Sequence, residues 1–421
     1  MNFYIKTLGC KVNAYESEMI EEQFKKAGYN ILSEPVDADV IVINTCTVTN
    51  NADSKSRKMI REMKKASKNA IIVVCGCAAE NHKDKLDELD IDILIGNYNK
   101  SKILEFVEEY KKNHEKISYF KDLRHAEFEN MTINHFEGKT RAFVKIQDGC
   151  NNFCTYCIIP FTRGSNRSKK LEDAVNEINN LANEGYQEVV LTGIHTGAYG
   201  EGEDFDIVDL IREVSKNDNL KRIRISSIEI TQLDERFMEE FKNNKKICSQ
   251  LHVPIQGGSD KILKAMHRKY TKEEFLKKIE EIKSLRDDVN ITTDYIVGFP
   301  EETDEEHEEA IETLKAMGVS KIHTFPYSKR SGTLASTMKD VDGNVKKQRT
   351  KEILRLSDIQ EELYYKKFIG KELEVLVENN NQGFTSNYIK VHLDKDVEPN
   401  TFVNAKITKV DGIEVYGEVV E

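Results

Sequence analysis

Three cysteines stand in a C-x3-C-x2-C pattern, Cys150, Cys154 and Cys157, directly after the strand-like run AFVKIQ. Thiolates are the usual ligands of iron–sulfur clusters, and a 4Fe-4S cluster takes four. Three closely spaced thiolates therefore leave one iron without a protein ligand. As at a catalytic zinc, an open coordination position is where a cosubstrate binds. A structural zinc site would need a fourth ligand close by, and residues 149–157 offer none.

Three further cysteines are far apart in sequence but alike in setting. FYIKTLG ends at Cys10, VIVINT at Cys46 and AIIVVCG at Cys77, at intervals of 36 and 31 residues. Each interval spans about one βα repeat, and in a parallel sheet the ends of neighbouring strands converge on one crevice. Three thiolates there make a second metal or cluster site. The alternative is three ordinary core cysteines, a common fate of this residue. Cys75, one step inside its strand, and Cys248, alone before SQLHVPI, read as core.

The elements that must hold these residues form an α/β pattern. Strand-like FYIK, DVIVIN and AIIVV alternate with helical runs at Ser17–Gly28 and Ser54–Ser67, which predicts a parallel-sheet domain over 1–110. Residues 111–137 are polar and weakly patterned, as in a linker. Between 138 and 370 six strand candidates recur: AFVKIQ, EVVLTG, RIRISS, SQLHVPI, NITTDYIVG and KIHTFPY. Capping boxes at Thr271/Glu274 and Thr303/Glu306 open two of the helices between them. Six βα repeats in this length fit a partial (βα)6 barrel, with the three-cysteine loop at its C-terminal face. Residues 371–421 hold five short β-type segments and no helix, the pattern of a small OB-like barrel.

The longest apolar run, residues 70–79, is too short to span a bilayer, and the N-terminus lacks the pattern of an export signal. Both features predict a cytoplasmic protein without membrane contact, whose cysteines stay reduced. A net charge of −11 is unfavourable for nucleic-acid binding, so any RNA site must be a local basic surface. Two such stretches lie beside the cysteines. Lys55, Arg57, Lys58, Arg61, Lys64, Lys65 and Lys68 follow Cys46, while Arg163, Arg167, Lys169 and Lys170 follow Cys157.

KIQDGCNNFCTYCIIPFTRG resembles the signature loop of radical-SAM methylthiotransferases, and TLGCKVNAYESE, INTCTVT and GCAAE resemble the cysteine loops of their N-terminal domain. The resemblance covers essentially the whole chain and implies two 4Fe-4S clusters, with S-adenosylmethionine (SAM) chelated by the open iron. It assigns Cys150, Cys154 and Cys157 to the radical cluster, and Cys10, Cys46 and Cys77 to an auxiliary cluster that takes part in sulfur insertion. By the same resemblance Gly193, His195 and Gly197 of TGIHTG lie at the amino group of SAM. Ser226 and Ser227 lie at its ribose, Gly298 of IVGFP beside its adenine, and Asp294 faces the barrel. Gln256–Gly258 and Met266–Lys269 are expected near the active-site mouth.

The terminal barrel resembles the TRAM domain, an RNA-binding module, although residues 371–421 carry five Lys, no Arg and ten acidic side chains. Phe384, Tyr388 and Phe402 are its candidates for base stacking. Lys11–Asn13, LTGIHTGAYG and FPYSKRSGT resemble the subgroup acting on threonylcarbamoyladenosine in tRNA. Other members act on isopentenyladenosine or on a ribosomal-protein aspartate. Ile230 stands where the family commonly has proline. The resemblance thus implies sulfur and methyl insertion at carbon 2 of that nucleoside at tRNA position 37. Its partners would be the tRNA anticodon loop, a reductase or flavodoxin-like electron donor, and a sulfur donor. No acid–base residue is assigned.

Overall fold

The computed structural model describes residues 1–136 and 140–420. The first part is a parallel sheet of β1 (Asn2–Thr7), β2 (Asn30–Ile31), β3 (Val40–Thr45), β4 (Ile71–Gly76), β5 (Ile93–Ile95) and β6 (Ile117–Tyr119), in the order β2-β1-β3-β4-β5-β6. Helices α1 (Lys11–Lys26), α2 (Asn50–Ala66), α3 (Cys77–Asn81), α4 (Lys83–Asp87) and α5 (Ile103–Asn113) link the strands. Strand β3 is buried along its length because helices cover both faces. Val40 and Val42 meet Tyr15, Met19 and Phe24 on one side, while Ile41 and Ile43 meet Ile60 and Met63 on the other.

Two helices start earlier than their sequence pattern indicates. Helix α1 opens at Lys11, not near Ser17, since its N-cap is Cys10, which makes no side-chain cap and so leaves no signal. Helix α2 opens at Asn50, with the Thr49 side chain accepting from the Ala52 N–H. The segment read as a linker is in part structural: α5 runs to Asn113, β6 pairs with β5, and Met131, Ile133 and Phe136 are core residues. A three-residue strand held by backbone bonds is too short to show alternation. The expected boundary between 137 and 138 lies outside the described residues, as does residue 421.

The second part is a partial barrel. Strand β7 (Arg141–Lys145) is followed by the short antiparallel pair β8 (Gln147–Asp148) and β9 (Arg167–Ser168), with α6 (Ile159–Arg163) between them. Then α7 (Leu171–Asn183), β10 (Glu188–Thr192), α8 (Ile207–Ser215), β11 (Arg222–Ile225), α9 (Glu235–Asn243) and β12 (Gln250–His252) alternate. After α10 (Asp260–Ala265) and α11 (Lys272–Leu285) come β13 (Asn290–Val297), α12 (Asp304–Met317) and β14 (Lys321–Pro326). The ladders β11-β10-β7 and β12-β13-β14 are parallel throughout and meet at the bridge Ile223–Ile247. Both expected capping boxes form.

Helix α13 (Gly343–Lys366) leads to a closed five-stranded barrel of β15 (Glu372–Asn379), β16 (Gln382–Thr385), β17 (Lys390–Leu393), β18 (Phe402–Asp411) and β19 (Glu414–Val420). This small barrel packs against the N-terminal ends of the larger barrel's strands. Phe384 stacks on Tyr388 at 4.8 Å, and Arg141 lies 4.6 Å over Phe384. Arg224 covers Tyr388 and Arg222 covers Phe402, each at 4.6 Å. The three aromatic residues proposed to stack RNA bases therefore carry the interface between barrels; the sequence did not show which face they occupy.

Glu188, fully buried, faces those three arginines, with Arg224 Nε at 2.7 Å. Removing one partner of a buried ionic group strands the others without compensation. Glu188→Ala is expected to destabilise the protein by about 3–5 kcal/mol, read as a lowered urea midpoint.

Candidate functional site

The C-terminal ends of the larger barrel's strands carry the three-cysteine loop. It is clamped at both ends: Cys150 N–H donates to Gly164 O at 3.0 Å, and Thr155 hydroxyl donates to Ala265 O at 2.7 Å. The Thr155 contact places Met266–Lys269 against the loop. Arg268 donates to Cys154 Sγ at 3.4 Å and also bonds Glu229. Burial pushes the Cys150 thiol up to about 11 and Cys157 up to about 12, with the neighbouring cysteines adding to both. Such thiols are poor nucleophiles and lose their protons to a metal rather than to water.

Gln147 joins this loop to TGIHTG. Its amide nitrogen donates to Gly149 O at 2.7 Å, and its oxygen accepts from His195 N–H at 2.8 Å. His195 is held neutral: burial, then Arg268 and Lys269, lower it to about 4. Ser226 and Thr196 hydroxyls lie 3.0 Å apart, which brings the expected amino-group and ribose loops together. Ser227 is half-buried beside Ser226. Gly193 packs against Gln147, Gly197 against Gln232 and Ile228, and Gly298 against Lys346. A cavity of about 270 Å³ includes Cys157, Tyr156, Gln256, Asp294 and Ile296 in its wall. Asp294 thus faces the barrel interior, 3.3 Å from His252 Nε2, while Gly298 does not line the cavity and donates its N–H to Glu302.

Cys10, Cys46 and Cys77 follow β1, β3 and β4, which are adjacent in the sheet. Gly9, at φ 110°, sits where a Cβ would lie 2.9 Å from Cys46 Cβ, so only glycine lets these two turns approach. Gly76, at φ 98°, turns the chain between Cys75 and Cys77. That turn sends Cys75 into the core and leaves Cys77 at the N-terminus of α3. Cys248 is also buried. Burial raises Cys46 to about 11, with Cys77 and Cys10 adding. Packing around the Cys10 thiol raises it as well, against the pull of Arg163 and with Cys77 adding, although the residue keeps an exposed edge; the three thiols are mutual electrostatic neighbours.

Beside them lies a buried charge network, several of whose members stand in the quoted motifs TLGCKVNAYESE and KIQDGCNNFCTYCIIPFTRG although nothing in those motifs shows that they pair. Glu16 pairs with Lys100, Lys145 and Arg163, and Asp148 with Lys145, Arg163 and Arg167. Arg163 also donates to Cys77 Sγ at 3.3 Å. Arg163, Arg167 and Lys169 are thus buried and unavailable to RNA; Lys169 pairs with Glu177. Their spacing as a basic run carried no mark of the Glu16 and Asp148 partners, which arrive from elsewhere in the fold. Lys170 is exposed, as are Lys55, Lys58, Arg61 and Lys65 on α2 and Lys68 just beyond it.

A second joint was missed in FPYSKRSGT. Arg330 reaches from the larger barrel to Asp53 at 2.7 Å and Thr47 at 2.6 Å, next to Cys46. Val48 and Thr49, following Cys46, share the cavity wall with Cys157. The segment that follows Cys46 therefore reaches the cavity that Cys157 lines.

A family model described as radical SAM superfamily matches residues 144–314, and one described as uncharacterized protein family UPF0004 matches residues 2–96. The chain is 41% identical to the threonylcarbamoyladenosine tRNA methylthiotransferase MtaB of Bacillus subtilis, over 91% of this chain and 88% of that protein. This chain belongs to the radical-SAM methylthiotransferases. The MtaB of Aquifex aeolicus is 38% identical over 93% of this chain and 96% of its own length. A tRNA-2-methylthio-N(6)-dimethylallyladenosine synthase of Clostridium perfringens is 33% identical, over 100% and 98%.

Among solved structures, the radical SAM methyltransferase TsrM of Kitasatospora setae superposes with a TM-score of 0.58 at 13% identity, over 80% of this chain and 77% of that one. That likeness concerns the fold.

The cofactors implied by a radical-SAM methylthiotransferase are SAM and a 4Fe-4S cluster, and the donor sets fit clusters. Among the described residues no three His, Cys, Asp or Glu side chains form the close shell of a single ion. A 4Fe-4S cluster takes one thiolate on each ligated iron, the donor type that the three cysteines of each triad offer. The network beside Cys77 sets four cations against two carboxylates, a surplus that favours an anionic group.

Proposed function

We propose that this chain installs a methylthio group at carbon 2 of threonylcarbamoyladenosine, at position 37 in the anticodon loop of tRNA. In this reading Cys150, Cys154 and Cys157 hold one 4Fe-4S cluster, and Cys10, Cys46 and Cys77 hold a second. The observation that carries it is the shared cavity. Its wall joins Cys157 and Tyr156 of one triad's loop to Val48 and Thr49 beside the other triad. Sulfur insertion needs both sites to reach one carbon atom, and a cavity bordered by Cys157 and by the residues after Cys46 supports that reading. The relatives' names, those acting on threonylcarbamoyladenosine at higher identity than the dimethylallyl synthase, support the choice of nucleoside.

When bound, the clusters and SAM would supply the reductive cleavage, the site of sulfur transfer and the methyl group. The chain's residues position and enclose. Tyr156, Ile158 and Ile296 give the cavity an apolar wall that excludes water, while Gln256, Asp294 and Thr49 offer it hydrogen-bonding groups. Gln147 and Thr196 hold the His195 and Ser226 loops where SAM would lie. The exposed cations of α2 form an RNA-facing stripe that starts at the cavity, since Thr49 caps that helix.

We assign residues 1–110 and 138–370 to the two cluster domains, joined by 111–137, and 371–421 to a TRAM-like domain whose aromatic face is used internally. A reductase or flavodoxin-like protein would deliver electrons, and a separate donor the sulfur, in the cytoplasm; among the described residues no helix is long and apolar enough to cross a membrane. Nucleoside mass spectrometry of tRNA from cells with and without the gene tests the reading. The methylthio form of threonylcarbamoyladenosine is expected to vanish without it. Loss of the methylthio isopentenyl nucleoside instead would overturn the assignment.

A further inference from the structure

We infer that Arg163 is a positioning residue that raises the reduction potential of the cluster on Cys10, Cys46 and Cys77; the inference rests on the reading of that triad as a cluster site. Helix α6 belongs to the three-cysteine segment of the larger barrel, yet the Arg163 side chain leaves that barrel and ends among the N-terminal cysteines. Its Nε donates to Cys77 Sγ at 3.3 Å, and Nη2 donates to Asn13 Oδ1 at 2.5 Å. That same amide oxygen lies 3.8 Å from Cys10 Sγ. Nη1 is anchored by Glu16 at 3.0 Å and Asp148 at 3.1 Å. Every nitrogen of the guanidinium is thereby used, and the side chain is fully buried.

Glu16 and Asp148 do not need Arg163 for neutrality, because Lys100, Lys145 and Arg167 already pair with them. Among the described residues, Arg163 is the cation hydrogen-bonded to a thiol of this triad. A buried charge is little screened by salt. Hydrogen bonds to the sulfurs and nearby charge are the levers by which a protein sets a cluster's potential. One electron added to the cluster makes it more negative. A fixed cation with an N–H on a ligand sulfur lowers the energy of that reduced state, so the potential rises. No proton moves in this step.

The test uses the full chain with Cys150, Cys154 and Cys157 replaced by Ala, reconstituted with iron and sulfide without air, so that the N-terminal cluster alone is present. Its potential is read by electron paramagnetic resonance during titration with dithionite and mediators. Adding Arg163→Met is expected to lower the midpoint by about 60 mV, a tenfold change for one electron. An unchanged midpoint at equal iron content overturns the inference. If Arg163→Met fails to load iron, Arg163→Gln decides. Its neutral amide keeps an N–H donor but removes the charge, so a lowered midpoint supports the role and an unchanged one rejects it. A parent protein that takes up no iron sinks the reading of the triad itself.

Discussion

Replacing Cys150, Cys154 and Cys157 with Ala is expected to leave a folded chain that cleaves no SAM and binds about four irons in place of about eight. The loop survives because its fixed points lie outside the sulfurs. Thr155 holds Ala265 O and Met266 O, and the Gly164 carbonyl holds the Cys150 amide. Arg268 loses one acceptor, Cys154, but keeps Glu229. Anaerobic iron analysis and detection of 5′-deoxyadenosine check the outcome. Cleavage at the parental rate would remove the three-cysteine loop from the chemistry.

The second large effect separates the two triads. With Cys10, Cys46 and Cys77 changed to Ala, SAM cleavage is expected to persist while the methylthio product disappears, again with about four irons bound. The partial barrel is built without these side chains; Arg163 loses one acceptor, Cys77, while the ion pairs Arg330–Asp53, Lys145–Glu16 and Arg163–Glu16 to the N-terminal domain remain. Liquid chromatography of SAM products beside mass spectrometry of the RNA reads both halves in one reaction. Methylthio product at the parental level would show that the N-terminal cysteines are structural. Simultaneous loss of cleavage, at parental helix content, would show that the two triads are not independent.

What was legible came from local pattern. The strands ending at Cys10, Cys46 and Cys77 could be read because buried parallel strands are continuous apolar runs bounded by turns. Cys75 and Cys248 were read as core, and both are buried. The errors share a cause. Arg163, Arg167 and Lys169 looked like a solvated basic run because a sequence records their charge without their partners, and Glu16 lies 147 residues from Arg163. Phe384, Tyr388 and Phe402 looked like a stacking platform because nothing local marks which side of a small barrel meets Arg141, Arg222 and Arg224. Gln147 and Arg330 stand in quoted motifs, yet their partners carry no local signal, since a single polar side chain acquires its role from what the fold brings to it.

By itself the sequence determined the three-part α/β architecture and which cysteines stand at strand ends, because hydrophobic periodicity and βα spacing are properties of neighbouring residues. Only the tertiary structure decided that the residues after Cys46 line one cavity with Cys157, that Arg163 reaches from the three-cysteine segment to Cys77, and that the terminal barrel spends its aromatic face on the larger one. Those are contacts between segments 86 or more residues apart, chosen by packing and by the need of every buried charge for a partner.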